Sequence, residues 1–316
     1  MDERLRRETQ GLERSWARHS REMLRDYLVQ GVEDPRINVQ SILTRHFLIR
    51  RLLPGRFEGL MEQELRFSVV VNGLLRQPDG VGNPSPSLPA EADGVTVPDY
   101  VSQALQGAGA AGIEVGEDLL GTFQRLWSAV LRDERPSGVS VLEPACGSAN
   151  DYRFLAAFGI ARLIGYAGFD LCEKCIVNAR EMFPAARFQV GNVFEIDAPD
   201  AAFDLCFVHD LFEHLSVEGM ERAVGEVCRV TRGDLCIGFF RMHEGGRHVV
   251  CPVADYHRNG LSVEQTKAVF ERHGKSVEAI HIDAFLKARF GYGDTHNAGA
   301  YTFVVSGDEP RWQGRR

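Results

Sequence analysis

The chain has no apolar run approaching the roughly 20 residues needed to span a bilayer. The first residues, Met1-Asp-Glu-Arg-Leu-Arg-Arg, carry acids and no apolar core, so neither a secretory signal nor a transit peptide is expected. Cysteine is missing from the first 145 residues, and the seven cysteines that follow are odd in number and scattered. A disulfide framework is therefore not expected, and the reading is a reduced, cytoplasmic protein with no membrane partner. Positive charge is in deficit. A formal net charge of −8 argues against a protein that coats nucleic acid over its whole surface. The arginines near the amino terminus (Arg4, Arg6, Arg7, Arg14, Arg18, Arg21 and Arg25) are matched by nearly as many acids and read as a solvated helix face. No internal repeat is present.

What is there suits a globular chain. Hydrophobic residues at 44% and charged residues at 25% predict a sizeable buried core. Residues 1–77 read as helices, because Leu5, Leu12, Trp16, Met23 and Tyr27 recur at spacings of seven and four. The pattern continues over 37–53 and 57–75, broken by Pro54-Gly55. Residues 77–89 are dense in turn formers, so 78–98 is expected to be a flexible connector or lid. The expected organisation is an N-terminal helical cap over 1–77, that connector, and an α/β domain over 99–316. Trp16, Phe123 and Trp127 read as helix-packing residues.

From Val139 onward strands and helices alternate, which predicts a doubly wound, mostly parallel sheet. The strand candidates are 139–143, 163–170, 187–190, 203–209 and 235–240, with helices over 118–132, 173–182, 217–230 and 263–273. The pattern then changes. Segments 276–285 and 300–306 both read as strands joined by a Gly-rich loop with no helix, so they should close the sheet as an antiparallel pair.

The sharpest signal is Val139-Ser-Val-Leu-Glu-Pro-Ala-Cys-Gly-Ser-Ala-Asn-Asp151. A strand ends in an acid and enters a loop of small residues, where the backbone can approach a ligand closely. The stretch resembles the first motif of class I S-adenosylmethionine-dependent methyltransferases, commonly an acid followed by three alternating glycines. Here those positions read Ala145, Gly147 and Ala149. The resemblance implies a Rossmann-like fold and S-adenosylmethionine as cofactor. It places Glu143, Ala145 and Gly147 at the donor, with Asp170 and Leu171 at the ribose. Asn192 and Val193 fall at the adenine, and His209 at the methionine end. A nicotinamide-binding fold would want Gly-x-Gly-x-x-Gly here, which Glu143-Pro-Ala-Cys-Gly-Ser does not supply.

A second signal is His209-Asp-Leu-Phe-Glu-His-Leu215. If a helix begins at Asp210, then Asp210, Glu213 and His214 share one face and could grip one hard cation, Mg²⁺ or Mn²⁺. The run resembles the acid-x-x-Glu-His motif of metal-dependent O-methyltransferases. These include the small-RNA 3′-terminal 2′-O-methyltransferases and the ubiquinone-pathway enzymes. The RNA enzymes add a further histidine, for which His257 is the candidate, with His243 and His248 behind it. Without a metal, His209 or His214 could act as general base, since histidine titrates near neutrality.

Other signals carry less. Cys172-Glu-Lys-Cys175 has no second pair to complete a zinc site. The loop over 291–299, with His296, reads as a hairpin loop lining the pocket mouth. Three functions are left open at this point. The first is O-methylation of a small molecule. The second is 2′-O-methylation of an RNA end. The third is a non-catalytic, methyltransferase-like binding subunit, which would follow if Ala145 and Ala149 close the donor site. The N-terminal helices could also pair two copies of the chain.

Overall fold

The structure is a computed structural model that describes residues 1–15, 34–76, 91–96, 115–291 and 297–307. Trp16, Met23, Tyr27, His296 and most of the expected connector lie outside the described residues. Helix α1 covers 3–15, followed by α2 (Val39–Leu52) and α3 (Glu58–Arg76). The break between α2 and α3 falls at Pro54-Gly55, where Gly55 takes φ 74°. A helical turn at Glu117–Leu120 leads into α4 (Thr122–Val130).

Seven strands form one sheet: β1 (Ser140–Pro144), β2 (Gly165–Asp170), β3 (Arg187–Val190), β4 (Leu205–His209), β5 (Leu235–Phe239), β6 (Ser276–His281) and β7 (Tyr301–Ser306). Between them run α5 (Tyr152–Ala157), α6 (Glu173–Met182), α7 (Val217–Val230), α8 (Val263–Glu271) and α9 (Ile282–Phe290). The order across the sheet is β6-β7-β5-β4-β1-β2-β3. The pairs from β3 to β5 are parallel, and β7 runs antiparallel to both β5 and β6. Chain order reverses between β1 and β4, the place where such folds open a crevice at the carboxyl ends of their strands.

Neighbouring residues along each strand enter opposite cores, because side chains alternate across a sheet. Val141, Phe207, Cys236 and Val304 join one cluster, while Leu142, Val208, Ile237 and Val305 join the other. The first core is closed by α2 to α6 and α9, through Phe47, Phe67, Trp127, Leu155, Ile176 and Leu286. The second is closed by α7 and α8, with Leu5 and Leu12 of α1 added to it. The N-terminal helices therefore contribute to both layers. Side-chain oxygens cap three helix starts: Asn38 accepts from the Ser41 N–H, Ser216 from Gly219 and Ser262 from Gln265.

One segment departs from expectation. The strand read over 276–285 stops at His281, and Ile282–Phe290 is helical. Ile282 and Leu286 bury one turn apart, Lys287 and Arg289 sit in the last turn, and Gly291 caps the end at φ 72°. The β6–β7 pair stays antiparallel because the helix folds beside the strands instead of crossing the sheet. The second strand likewise begins at Gly165, after a tight turn over Ala161–Leu163.

Candidate active site

The loop after β1 has an unusual backbone. Ala145, Gly147 and Ala149 take φ values of 58°, 53° and 62°. The left-handed region costs an L-residue roughly 1–2 kcal/mol, so the surrounding structure must enforce it. Enforcement comes from β2. Gly147 N–H donates to Asp170 Oδ2 at 2.9 Å, and Cys146 N–H donates to the Phe169 carbonyl at 3.0 Å. The other Asp170 oxygen accepts from Cys172 N–H at 2.8 Å. A Cβ at Gly147 would come within 2.9 Å of the Asn150 side-chain amide, which would have to swing aside. The two alanines follow the path that glycines would take.

The residues expected around the donor occupy defined places. Glu143 does not face an open pocket. It is 2% exposed, and Tyr166 Oη donates to its carboxylate at 2.5 Å. Burial, followed by the Asp151 and Asp170 charges, pushes its pKa well up against that bond. Asp170 is buried, and it braces the loop with one oxygen and the start of α6 with the other. Leu171 and Val193 pack at the margin of the second core. Asn192 accepts from Phe194 N–H at 2.9 Å and donates its amide to Thr9 Oγ1 of α1 at 3.0 Å. Helix α1 is held there by Glu8, which accepts from Ser216 N–H and Oγ, both at 2.6 Å.

His209 joins three elements. Its Nδ1 lies 3.1 Å from Asp151 Oδ2, and its Nε2 lies 2.7 Å from Thr44 Oγ1 of α2. A carboxylate only accepts, so Nδ1 carries the hydrogen. Burial alone would lower the His209 pKa, but the Asp151 charge and hydrogen bond outweigh it and the shift is upward. Both nitrogens are engaged, so His209 ties α2 to the end of β4. Thr44, Asp151, Tyr166 and Thr9 escaped the sequence reading, because partners as far apart as 183 positions leave no spacing signal.

The metal-binding face does not form. No helix begins at Asp210, which sits at φ 48° outside the short turn Phe212–His214. Residues in such a turn do not stack at i, i+3 and i+4 as an α-helix would stack them. Glu213 turns its Oε1 to Phe240 N–H at 2.8 Å, and His214 Nδ1 donates to the His257 carbonyl at 3.1 Å. His257 thus contributes its backbone, while His243 and His248 bond to nearby loop backbone. Among the described residues no group of three or more His, Cys, Asp and Glu side chains could hold a metal ion. The donor set does not fit one.

Among the described residues two buried carboxylate oxygens are without a hydrogen-bond partner, Asp210 Oδ1 and Glu213 Oε2. Burial, then the Glu213 charge, pushes Asp210 up to about 7. Burial likewise raises Glu213 to about 7, against its backbone hydrogen bonds. His214 is shifted down by burial.

Residues 141–234 match the family model for a methyltransferase domain. The chain carries a class I methyltransferase domain. Within 112 residues it is 28% identical to a malonyl-[acyl-carrier protein] O-methyltransferase of Pectobacterium atrosepticum, covering 34% of this chain and 41% of that one. Over 149 residues it is 28% identical to a probable S-adenosylmethionine-dependent methyltransferase of Mycolicibacterium smegmatis, covering 46% and 54%. The chain thus spans about half the length of the curated relatives it matches. A solved structure, the Burkholderia thailandensis 1,6-didemethyltoxoflavin-N1-methyltransferase, aligns over 58% of this chain and 76% of that one at 17% identity, with a TM-score of 0.40. The matched span of the methyltransferase domain runs from β1 to the residue before β5. It contains the left-handed loop, Asp170, Asn192 and the Asp210–Glu213 pair. Among the described residues no helix is long and apolar enough to cross a membrane.

Proposed function

We propose that the protein transfers a methyl group from S-adenosylmethionine to an oxygen of a small-molecule acceptor. One observation carries the reading: the loop of Ala145, Gly147 and Ala149, bonded to Asp170 where the sheet's chain order reverses, inside the family-matched span. The loop fits such a donor, because its backbone takes the glycine path at all three positions. The resemblance assigns the ribose to Asp170 and the adenine to Asn192. Each carboxylate oxygen offers two acceptor positions, so Asp170 can brace Gly147 and Cys172 and still receive hydroxyls. The donor supplies an activated sulfonium methyl, and the chain's own task is alignment and exclusion of water.

His214 is the proposed base. Its downward shift favours the neutral ring, and its Nδ1 hydrogen is committed to His257, which makes Nε2 the proton-accepting nitrogen. His209 is a positioning residue, fixed by Asp151 and Thr44. No step uses a metal. The seven cysteines, none of them in a disulfide, support a reducing, cytoplasmic setting. A net charge of −8 favours a small acceptor over an RNA end.

The test supplies the full chain with methyl-labelled S-adenosylmethionine and a cell extract split into small-molecule and RNA fractions. Label should enter the small-molecule fraction and survive ribonuclease. Label confined to RNA, or none transferred to either fraction, would contradict the proposal.

A further inference from the structure

Asp210 and Glu213 are two acids placed where water is scarce, and each has an oxygen that the protein leaves unbonded. Glu213 is 3% exposed, with Oε1 on Phe240 N–H and Oε2 without a partner. Asp210 Oδ1 is a second buried orphan, on a residue held at φ 48° by its N–H to the Gly238 carbonyl at 3.1 Å. A buried acceptor without a donor costs roughly 1–3 kcal/mol, and a strained backbone adds to it. Such groups are kept where a ligand completes them. What completes two carboxylate oxygens is a hydrogen-bond donor, and a cationic donor does so best.

The position says which ligand. Both acids are fastened to the β5 side of β4, through Gly238 and Phe240. The left-handed loop and Asp170 lie on the other side, over β1 and β2. The pair therefore lies away from the donor's expected ribose and adenine places. Phe240 leaves 40% of its surface exposed beside Glu213, an apolar wall next to the acidic one. Tyr256, whose ring centre is 6.0 Å from that of His214, stands on the hairpin that carries His257.

We propose that Asp210 and Glu213 form the acceptor-recognition subsite and take a protonated amine carried on an aromatic or apolar body. The proposal rests on the methyltransferase reading above and names the class of acceptor. An ammonium gripped by two carboxylates has no lone pair to attack the sulfonium methyl. The amine is therefore a handle, and the methylated oxygen lies elsewhere on the same molecule.

The experiment uses the full chain and three probes of one shape: benzylamine, benzyl alcohol and benzoate. Binding is read by saturation-transfer NMR for wild type, Glu213→Gln and Asp210→Asn. Gln keeps an oxygen for Phe240 N–H, and Asn tolerates the left-handed backbone best among ordinary residues. Melting curves confirm that both variants fold, and calorimetry with S-adenosylhomocysteine follows the donor site separately. Benzylamine should bind wild type about ten-fold more tightly than the alcohol or the acid, and each variant should lose about ten-fold for the amine alone. Equal binding of the three probes, or amine binding unchanged in both variants, overturns the proposal. A ten-fold loss of S-adenosylhomocysteine in the variants assigns the pair to the donor's own ammonium and overturns it as well. If wild type binds the amine but not S-adenosylhomocysteine, the methyltransferase reading fails and the amine site stands.

Discussion

Glu64 and Glu213 are both buried, yet Glu64 and the Asp210–Glu213 pair have opposite fates. Glu64 lies among α2, α3 and α4, where Arg45 Nη2 donates to it at 2.8 Å. His46 Nε2 and Trp127 Nε1 each lie 2.7 Å from its other oxygen. Burial would raise its pKa, but Arg45 and His46 outweigh that and hold it below the ordinary value. Arg45 is secured in turn by the Pro35 carbonyl and the face of Phe158, with its guanidinium 4.0 Å from the ring centre. At Asp210 and Glu213 burial outweighs the nearby His209 and His214 charges, two oxygens stay unbonded, and both groups rise to about 7. A buried acid whose oxygens are all matched welds helices together. One left unmatched at the ends of β4 and β5 marks a place where something else must bind.

The contrast can be broken by substitution. The largest effect is expected at Glu64→Ala, which strands Arg45 in the core. Loss of one partner of a buried ion pair costs about 3–5 kcal/mol, read as a lower urea midpoint. A loss under about 1 kcal/mol would mean that the cluster is not the weld described. Asp170→Ala is intermediate, because the bonds it loses to Gly147 and Cys172 are to backbone N–H groups. S-adenosylhomocysteine should bind about ten- to a hundred-fold more weakly, or roughly 1.5–3 kcal/mol, as the loop loses its brace. Unchanged affinity would refute Asp170 as the organiser of the donor site.

The smallest effect has the opposite sign. Asp210 and Glu213 bind protons more tightly folded than unfolded, at about 7 against ordinary values of 3.8 and 4.5. The stability this gives is complete below about pH 4 and is lost as pH rises through about 7. His209, His214 and Asp151 act on the Asp210 carboxyl as well, so the pair titrates as a unit. Glu213→Gln imitates the protonated form and should flatten that decline. At about pH 8 it should be more stable than wild type by about 1–2 kcal/mol in urea unfolding. A variant that loses stability at both ends of the pH range would place Glu213 with Glu64, and the contrast would fall.

Much of the fold could be read from the chain because local and global signals agreed. The parallel strands are short β-branched and aromatic runs, and the closing pair lacks a crossover, which is why the antiparallel end was legible. Helix α9 was misread because Ile280, Ile282 and Ala284 keep a strand's alternation as readily as Ile282 and Leu286 keep a helical turn. The loop was legible from its small residues and the acids flanking it. Its bracing was not: no spacing says that Tyr166 covers Glu143 or that Thr9 meets Asn192. The metal reading failed at one backbone angle. The left-handed turn at Asp210 takes it off the helix face, and a tertiary bond to Gly238 helps to hold that turn.

The central claim is that the left-handed loop and Asp170 receive S-adenosylmethionine. Calorimetric titration of the purified full chain with S-adenosylmethionine and, separately, S-adenosylhomocysteine tests it most directly. The account predicts micromolar binding of both, weakened at least about ten-fold by Asp170→Ala. No heat at millimolar ligand, with the protein folded, would mean that Ala145 and Ala149 close the site and would contradict the account.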